Sequence, residues 1–196
     1  MFDLLLTHHI SLYIESLYKQ NQNPALLYHN FQHTEKVVQR TYEIAANYSF
    51  DETEMFILLA SAWFHDTGHL FGEARHHEER SISIMRTWLG TKEIDKKIIE
   101  AVEGCIQATE LPQHPKTLLE EILCDADTFN LGTKEFFDTD RLLKKEVELR
   151  KGTRIDNWEE TTLNLLTTHT YFTPYCQALL NKGKQENIEI VRSFLK

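Results

Sequence analysis

Four short stretches concentrate the side chains that can grip a cation. They are His29-Asn30-Phe31-Gln32-His33, His65-Asp66-Thr67-Gly68-His69, His76-His77-Glu78 and Asp125-Ala126-Asp127. Imidazole nitrogens and carboxylate oxygens converging from rigid elements suit a divalent ion that keeps open positions for water and substrate. Such an ion makes water a nucleophile near neutral pH and draws in a phosphoryl oxygen. His65-Asp66 ends the apolar run Leu58-Leu59-Ala60-Ser61-Ala62-Trp63-Phe64, and Asp127 follows Ile122-Leu123-Cys124. An imidazole or carboxylate at the end of a buried helix costs several kcal/mol unless it is partnered. A buried His-Asp hydrogen-bonded pair is one solution and a shared cation is the other. Two apolar helix ends that each offer a carboxylate favour the cation.

Other candidates carry less. A zinc-protease helix needs a second His four residues after the first, and the residue four after His77 is Ser81. His77 or Glu78 can handle protons or hold a water, and Arg75 or Arg80 can meet a phosphate. The competing reading is acidic charge in a first helical turn, which suits Glu79. His8-His9 read as surface residues and His114, between two prolines, as a solvated loop residue. Lys144-Lys145 and Arg150-Lys151 alternate with acids and read as a solvated face. His169-Thr170-Tyr171-Phe172 either walls a pocket through Tyr171 or packs helices. There is no Gly-rich phosphate loop, no GxSxG and no Cys/His nucleophile arrangement.

These residues must be positioned by helices. The chain has 196 residues, only 7 Gly and 4 Pro, and helical periodicity almost end to end with no convincing alternation of period two. Helices are expected over 2–20, from the Asn30 cap onward, and from the Asp51/Glu54 capping box to near Gly68. More are expected up to Gly90, over 93–108 and over 118–126. The last three run from Thr133 to Gly152, from the Asn157/Glu160 capping box onward, and from Thr173-Pro174 to near Gly183. The expectation is an all-α fold, one domain over 1–196.

With 21 basic and 30 acidic residues the formal charge is −9, which excludes a general nucleic-acid-coating role. At 41% hydrophobic and 26% charged, the composition is that of a folded chain. Three cysteines with no CxxC spacing indicate neither a disulfide framework nor a thiolate zinc site. Met1-Phe2-Asp3-Leu4-Leu5-Leu6 has no basic n-region and too short an apolar run for a signal or a span. A cytoplasmic protein with no membrane partner is expected.

The ordered set His33, His65-Asp66, Asp127 resembles the H…HD…D signature of the HD-domain superfamily of metal-dependent phosphohydrolases. Tyr28-His29-Asn30-Phe31-Gln32-His33 with Val37-Val38 is similar to the YHNxxHxxxVV opening of one bacterial branch and of cyclic-nucleotide phosphodiesterases. Phe64-His65-Asp66-Thr67-Gly68, His77-Glu78-Glu79-Arg80-Ser81, Ala108-Thr109, Asp125-Ala126-Asp127 and His169-Thr170-Tyr171-Phe172-Thr173 continue that pattern, so the likeness covers about residues 28–175.

The resemblance implies an HD-type helical bundle in which His33, His65, Asp66 and Asp127 ligate the metal. Asp66 would bridge if two ions bind. Asp125 competes for the last place, and Asp127 is preferred because it aligns with the Asp of the family's AD pair. His29 matches the general acid of the phosphodiesterases, and His69 a histidine that orients a ligand or water beside the metal. Glu78 is the other proton donor to weigh. Two-metal relatives carry a further His where this chain reads Ile106-Gln107-Ala108-Thr109; His77 could contribute to a second ion but leaves that set incomplete, so one tight divalent ion is expected (Mn, Mg, Fe, Ni, Co or Zn). The Glu-Asp pair of alarmone hydrolases and the Pro-rich loop of triphosphohydrolases are missing after His65-Asp66. The implied activity is hydrolysis of a phosphate ester or anhydride, on a small substrate such as a nucleotide or cyclic nucleotide. The alternative is a metal-bound nucleotide-sensing or interaction module with little turnover.

Overall fold

In the computed structural model, which describes residues 4–195, helices follow one another in the order α1 Leu4–Gln20, α2 Phe31–Ala45, α3 Glu52–Phe64, α4 His77–Leu89, α5 Lys96–Ala108, α6 Leu118–Asp127, α7 Phe136–Lys151, α8 Trp158–Thr168 and α9 Pro174–Phe194. Short 3-10 turns, Thr67–Phe71 and Phe129–Gly132, follow α3 and α6. No strand occurs among the described residues. The fold is all-α, as the periodicity requires. Residues 2 and 3 of the expected first helix lie outside the described residues.

The organising element is α3. The Asp51 carboxylate accepts from the N–H groups of Thr53 and Glu54 while Glu54 reaches back to the Asp51 N–H, so the capping box forms. Beyond it Phe56, Ile57, Leu58, Leu59, Ala60, Ala62 and Phe64 are all buried. A helix apolar on every side must be surrounded. Here α1, α2, α5 and α6 do the surrounding. On α2, Asn30 accepts from the His33 N–H, and the buried stripe Thr34, Val37, Val38, Thr41 and Ile44 faces the core. On α6, the Thr117 hydroxyl caps the start and Ile122, Leu123 and Cys124 are fully buried. Removing a fully enclosed side chain such as Leu58 costs about 2–5 kcal/mol in systems of this kind.

Several boundaries differ from expectation for physical reasons. The last helix does not stop at Gly183 but continues to Phe194. A Cβ on Gly183 would stand 2.1 Å from the Gly132 carbonyl oxygen, so this glycine permits a close backbone crossing and does not end a helix. Asn157 makes no side-chain cap bond. The helix expected from Thr133 begins at Phe136, the one expected from residue 93 begins at Lys96 under an Asp95 cap, and α3 ends at Phe64 before the 3-10 turn. A second apolar cluster of Leu131, Phe136, Leu166, Ile188 and Val191 joins α7, α8 and α9. Cys105, Cys124 and Cys176 are free and buried, and burial pushes the Cys105 and Cys176 thiols up to about 12, so neither is a nucleophile. No helix among the described residues is long and apolar enough to cross a membrane.

Candidate metal centre

Three helix ends meet at one point. The first turn of α2 supplies His33, the end of α3 supplies His65 and Asp66, and the last residue of α6 is Asp127. One donor atom from each of these four lies within 4.8 Å of every other. His33 Nε2 is 3.3 Å from Asp66 Oδ2 and 3.2 Å from Asp127 Oδ1, and His65 Nε2 is 3.3 Å and 3.5 Å from the same two oxygens. Ligands held about 2.1 Å from one ion stand about 3.0–3.4 Å apart in octahedral or tetrahedral arrangements. The C-terminal ends of α3 and α6 add negative dipole ends that favour a cation there.

Partnering supports the same conclusion. His65 Nδ1 donates to the Ala62 carbonyl oxygen (2.8 Å), which leaves the Nε2 lone pair facing the carboxylates. Yet His65 Nε2 and Asp66 Oδ2 are buried without a hydrogen-bond partner among the described residues. Buried polar atoms are nearly always satisfied, and a divalent ion would satisfy both at once. The donor set fits such an ion.

The electrostatics belong to the metal-free state. Burial works against charge on His33 and His65, but Asp66 and Asp127 outweigh it and hold both imidazoles above their ordinary range, His65 well above. Burial likewise opposes charge on Asp66 and Asp127, and the two histidines overcome it and hold both carboxyls far below the usual range. A cation entering the cluster therefore displaces protons.

Asp125 lies two residues from Asp127 but is committed elsewhere. Its carboxylate accepts from the Phe172 N–H, the Thr173 N–H and the Thr173 hydroxyl at 2.6–2.8 Å. It ties down the chain between α8 and α9. Tyr171 is buried with its hydroxyl 3.3 Å from the carbonyl oxygens of Thr128 and Phe129, and His169 Nε2 lies 3.0 Å from the Thr128 hydroxyl. Both brace the residues just after Asp127.

Around the four donors sits a stack of imidazoles. The His29 and His69 ring centres are 4.0 Å apart, and those of His69 and His77 are 3.9 Å apart. His77 Nδ1 donates to the Ala74 carbonyl oxygen, and Nε2 is 3.3 Å from Asp66 Oδ1. Glu78 is not brought to the donor group: its Oε2 lies behind His77, 3.2 Å from Nδ1. Gly68 makes this packing possible, because a Cβ there would stand 2.0 Å from the His77 carbonyl oxygen. Arg80 clamps the same turn through the carbonyl oxygens of Gly68, Glu73 and Arg75, so it is not a free phosphate ligand, while Arg75 is exposed.

Two residues at the site come from α7, the stretch read as a solvated face. Glu146 is 1% exposed, and its Oε2 accepts from the Tyr28 and His29 N–H groups. Its Oε1 is 2.6 Å from His29 Nδ1. One turn later, Arg150 Nη1 lies 2.9 Å from His69 Nδ1. Their i,i+4 spacing is the one sequence signal that these two share a face. Beside His33 and Asp127 a pocket of about 100 Å³ is lined by Val37 and Phe129, with Asn30, Asn130, Lys36 and Arg40 also contributing. His8, His9 and His114 are exposed and contribute nothing here.

The HD domain family model matches residues 30–131, just over half of the chain. The structure is similar to the crystal structure of a predicted HD superfamily hydrolase from an uncultured Thermotogales bacterium, with a TM-score of 0.63 and 19% identity over 96% of this chain and 90% of that one. At that identity the likeness is one of fold. A comparison with curated proteins finds no match.

Proposed function

Since this chain belongs to the HD domain family, we propose that it is a metal-dependent phosphohydrolase that splits a phosphate ester or anhydride of a small molecule, a nucleotide or cyclic nucleotide being the class favoured. The observation that carries the reading is the meeting of His33, His65, Asp66 and Asp127 around one point, with His65 Nε2 and Asp66 Oδ2 without a hydrogen-bond partner among the described residues. These four residues would hold one divalent ion. An ion there supplies a water of lowered pKa and offsets charge on a phosphoryl oxygen.

The rest is done by side chains. As the water oxygen bonds to phosphorus and the bond to the leaving oxygen breaks, His29 delivers a proton to that oxygen. Glu146 occupies Nδ1, so Nε2 is the atom left for the transfer. Burial, then the neighbouring His29, place His69 far below its ordinary pKa, so it serves as a neutral hydrogen-bond donor. Burial, then Asp127, raise Tyr28 well above the ordinary phenol range, so it stays neutral as a wall between His29 and His33. The pocket beside Asp127 takes the remainder of the substrate. Its cations Lys36 and Arg40, paired with Glu135 and Glu43, can exchange those partners for a phosphate or a ribose.

The test is a panel of phosphomonoesters, phosphodiesters and cyclic nucleotides with Mn²⁺, Mg²⁺, Co²⁺ and Ni²⁺. Turnover abolished by chelation and by His65→Ala is expected. Turnover that survives both overturns the assignment. Nucleotide binding without product, across all metals, makes the chain a sensing module instead.

A further inference from the structure

A second trio of donors lies against the first. One atom each from His29, Asp66 and His69 lies within 4.8 Å of the other two. Asp66 turns Oδ2 toward His33 and His65 and leaves Oδ1 facing His69 and His77. By position alone, a second cation could sit here with Asp66 bridging.

Hydrogen positions deny this trio its third ligand, His69. A guanidinium has donors and no acceptor. Arg150 Nη1 lies 2.9 Å from His69 Nδ1, so Nδ1 must accept and must carry the lone pair. The proton of the neutral ring is then on Nε2. Nε2 is buried, has no hydrogen-bond partner among the described residues, and stands 3.8 Å from Asp66 Oδ1. It offers a hydrogen where a cation needs a lone pair. The guanidinium is itself fixed, with Nη2 donating to the Gly72 carbonyl oxygen at 2.7 Å and Nη1 lying 3.4 Å from Glu146 Oε1. We infer that Arg150 is a positioning residue that restricts the centre to one cation, by fixing the His69 tautomer and keeping its Nε2–H as a hydrogen-bond donor. This rests on the metal-centre reading above.

Two measurements test it. Wild-type and Arg150→Met proteins are loaded with Mn²⁺, desalted, and compared by elemental analysis and electron paramagnetic resonance. Met has no donor, which frees Nδ1 to take the proton. One Mn²⁺ per wild-type chain and two per Arg150→Met chain, the second giving an exchange-coupled signal, is expected. Two ions in wild type, or one in folded Arg150→Met, overturns the inference while leaving the metal centre standing. No ion in wild type refutes the metal centre itself. Separately, ¹⁵N resonances of His69 in the Zn²⁺-loaded wild type should show Nε2 protonated and Nδ1 bare. The opposite tautomer overturns the inference whether or not the variant folds.

Discussion

Glu146 Oε1 stands 2.6 Å from His29 Nδ1, although 117 residues of chain separate them. The second carboxylate oxygen accepts the backbone N–H groups of Tyr28 and His29, so Glu146 fixes both the ring and the turn that carries it. A carboxylate behind an imidazole fixes the ring's orientation and which nitrogen is left facing the site. In the proposed mechanism this readies His29 to give up the proton on Nε2.

Glu146→Gln should therefore lower kcat about 100-fold with little change in KM, the scale of a lost proton-transfer catalyst. Glu146→Asp should restore part of it. Steady-state kinetics on whichever substrate the panel identifies would check this. An unchanged kcat for Glu146→Gln would remove His29 from the proton-transfer role.

The same residue gives a pH signature in stability. Burial raises the Glu146 carboxyl, but the His29 contact outweighs it and the pKa lies below the ordinary glutamate value. A carboxyl depressed in the folded state stabilises the fold above its unfolded pKa, about 4.3, and loses that contribution as pH falls through the folded value. Urea titrations should show wild type more stable than Glu146→Gln above about pH 5, with the gap closing below about pH 4. A gap that widens on acidification contradicts the assignment.

Chelation should cost more stability as pH rises. Despite burial, the carboxylates raise His33 and His65, so in the metal-free protein their contribution is complete below about pH 6.5 and is lost as pH climbs through the folded values. Metal binding strengthens in the same direction because protons no longer compete. Thermal melts should show the gap between loaded and chelated protein widening by roughly 3 °C per pH unit for each proton displaced. A gap independent of pH from 6 to 9 would mean that these imidazoles are not the ligands.

Asp125 and Asp127 are separable by substitution. Asp125→Asn should destabilise the fold by about 2 kcal/mol through weakened bonds to Phe172 and Thr173 while leaving metal content intact. Asp127→Asn should abolish bound metal. Unfolding curves and elemental analysis on both variants decide, and the reverse pattern would exchange their roles.

How much of this was legible depends on which residues had their context written beside them. His65-Asp66 and the Asp125-Ala126-Asp127 triplet each close a largely apolar run, so burial and charge collide in the sequence itself. His33 lies three residues past a helix cap. Glu146 and Arg150 carry no such mark, because α7 is charged on most of its surface and only its packing shows which turn faces His29 and His69. Gly183 misled for the opposite reason. A glycine that ends a helix and one that admits a crossing backbone look alike until the neighbour, Gly132, is seen. The commitment of Asp125 was also hidden, since its partners Phe172 and Thr173 lie 47 and 48 residues away.

The most direct test is anomalous diffraction from crystals of the Mn²⁺-loaded protein. One peak about 2.0–2.3 Å from His33 Nε2, His65 Nε2, Asp66 Oδ2 and Asp127 Oδ1 is the predicted result. A fully loaded crystal whose anomalous peak lies elsewhere, or touches fewer than three of those atoms, would contradict it.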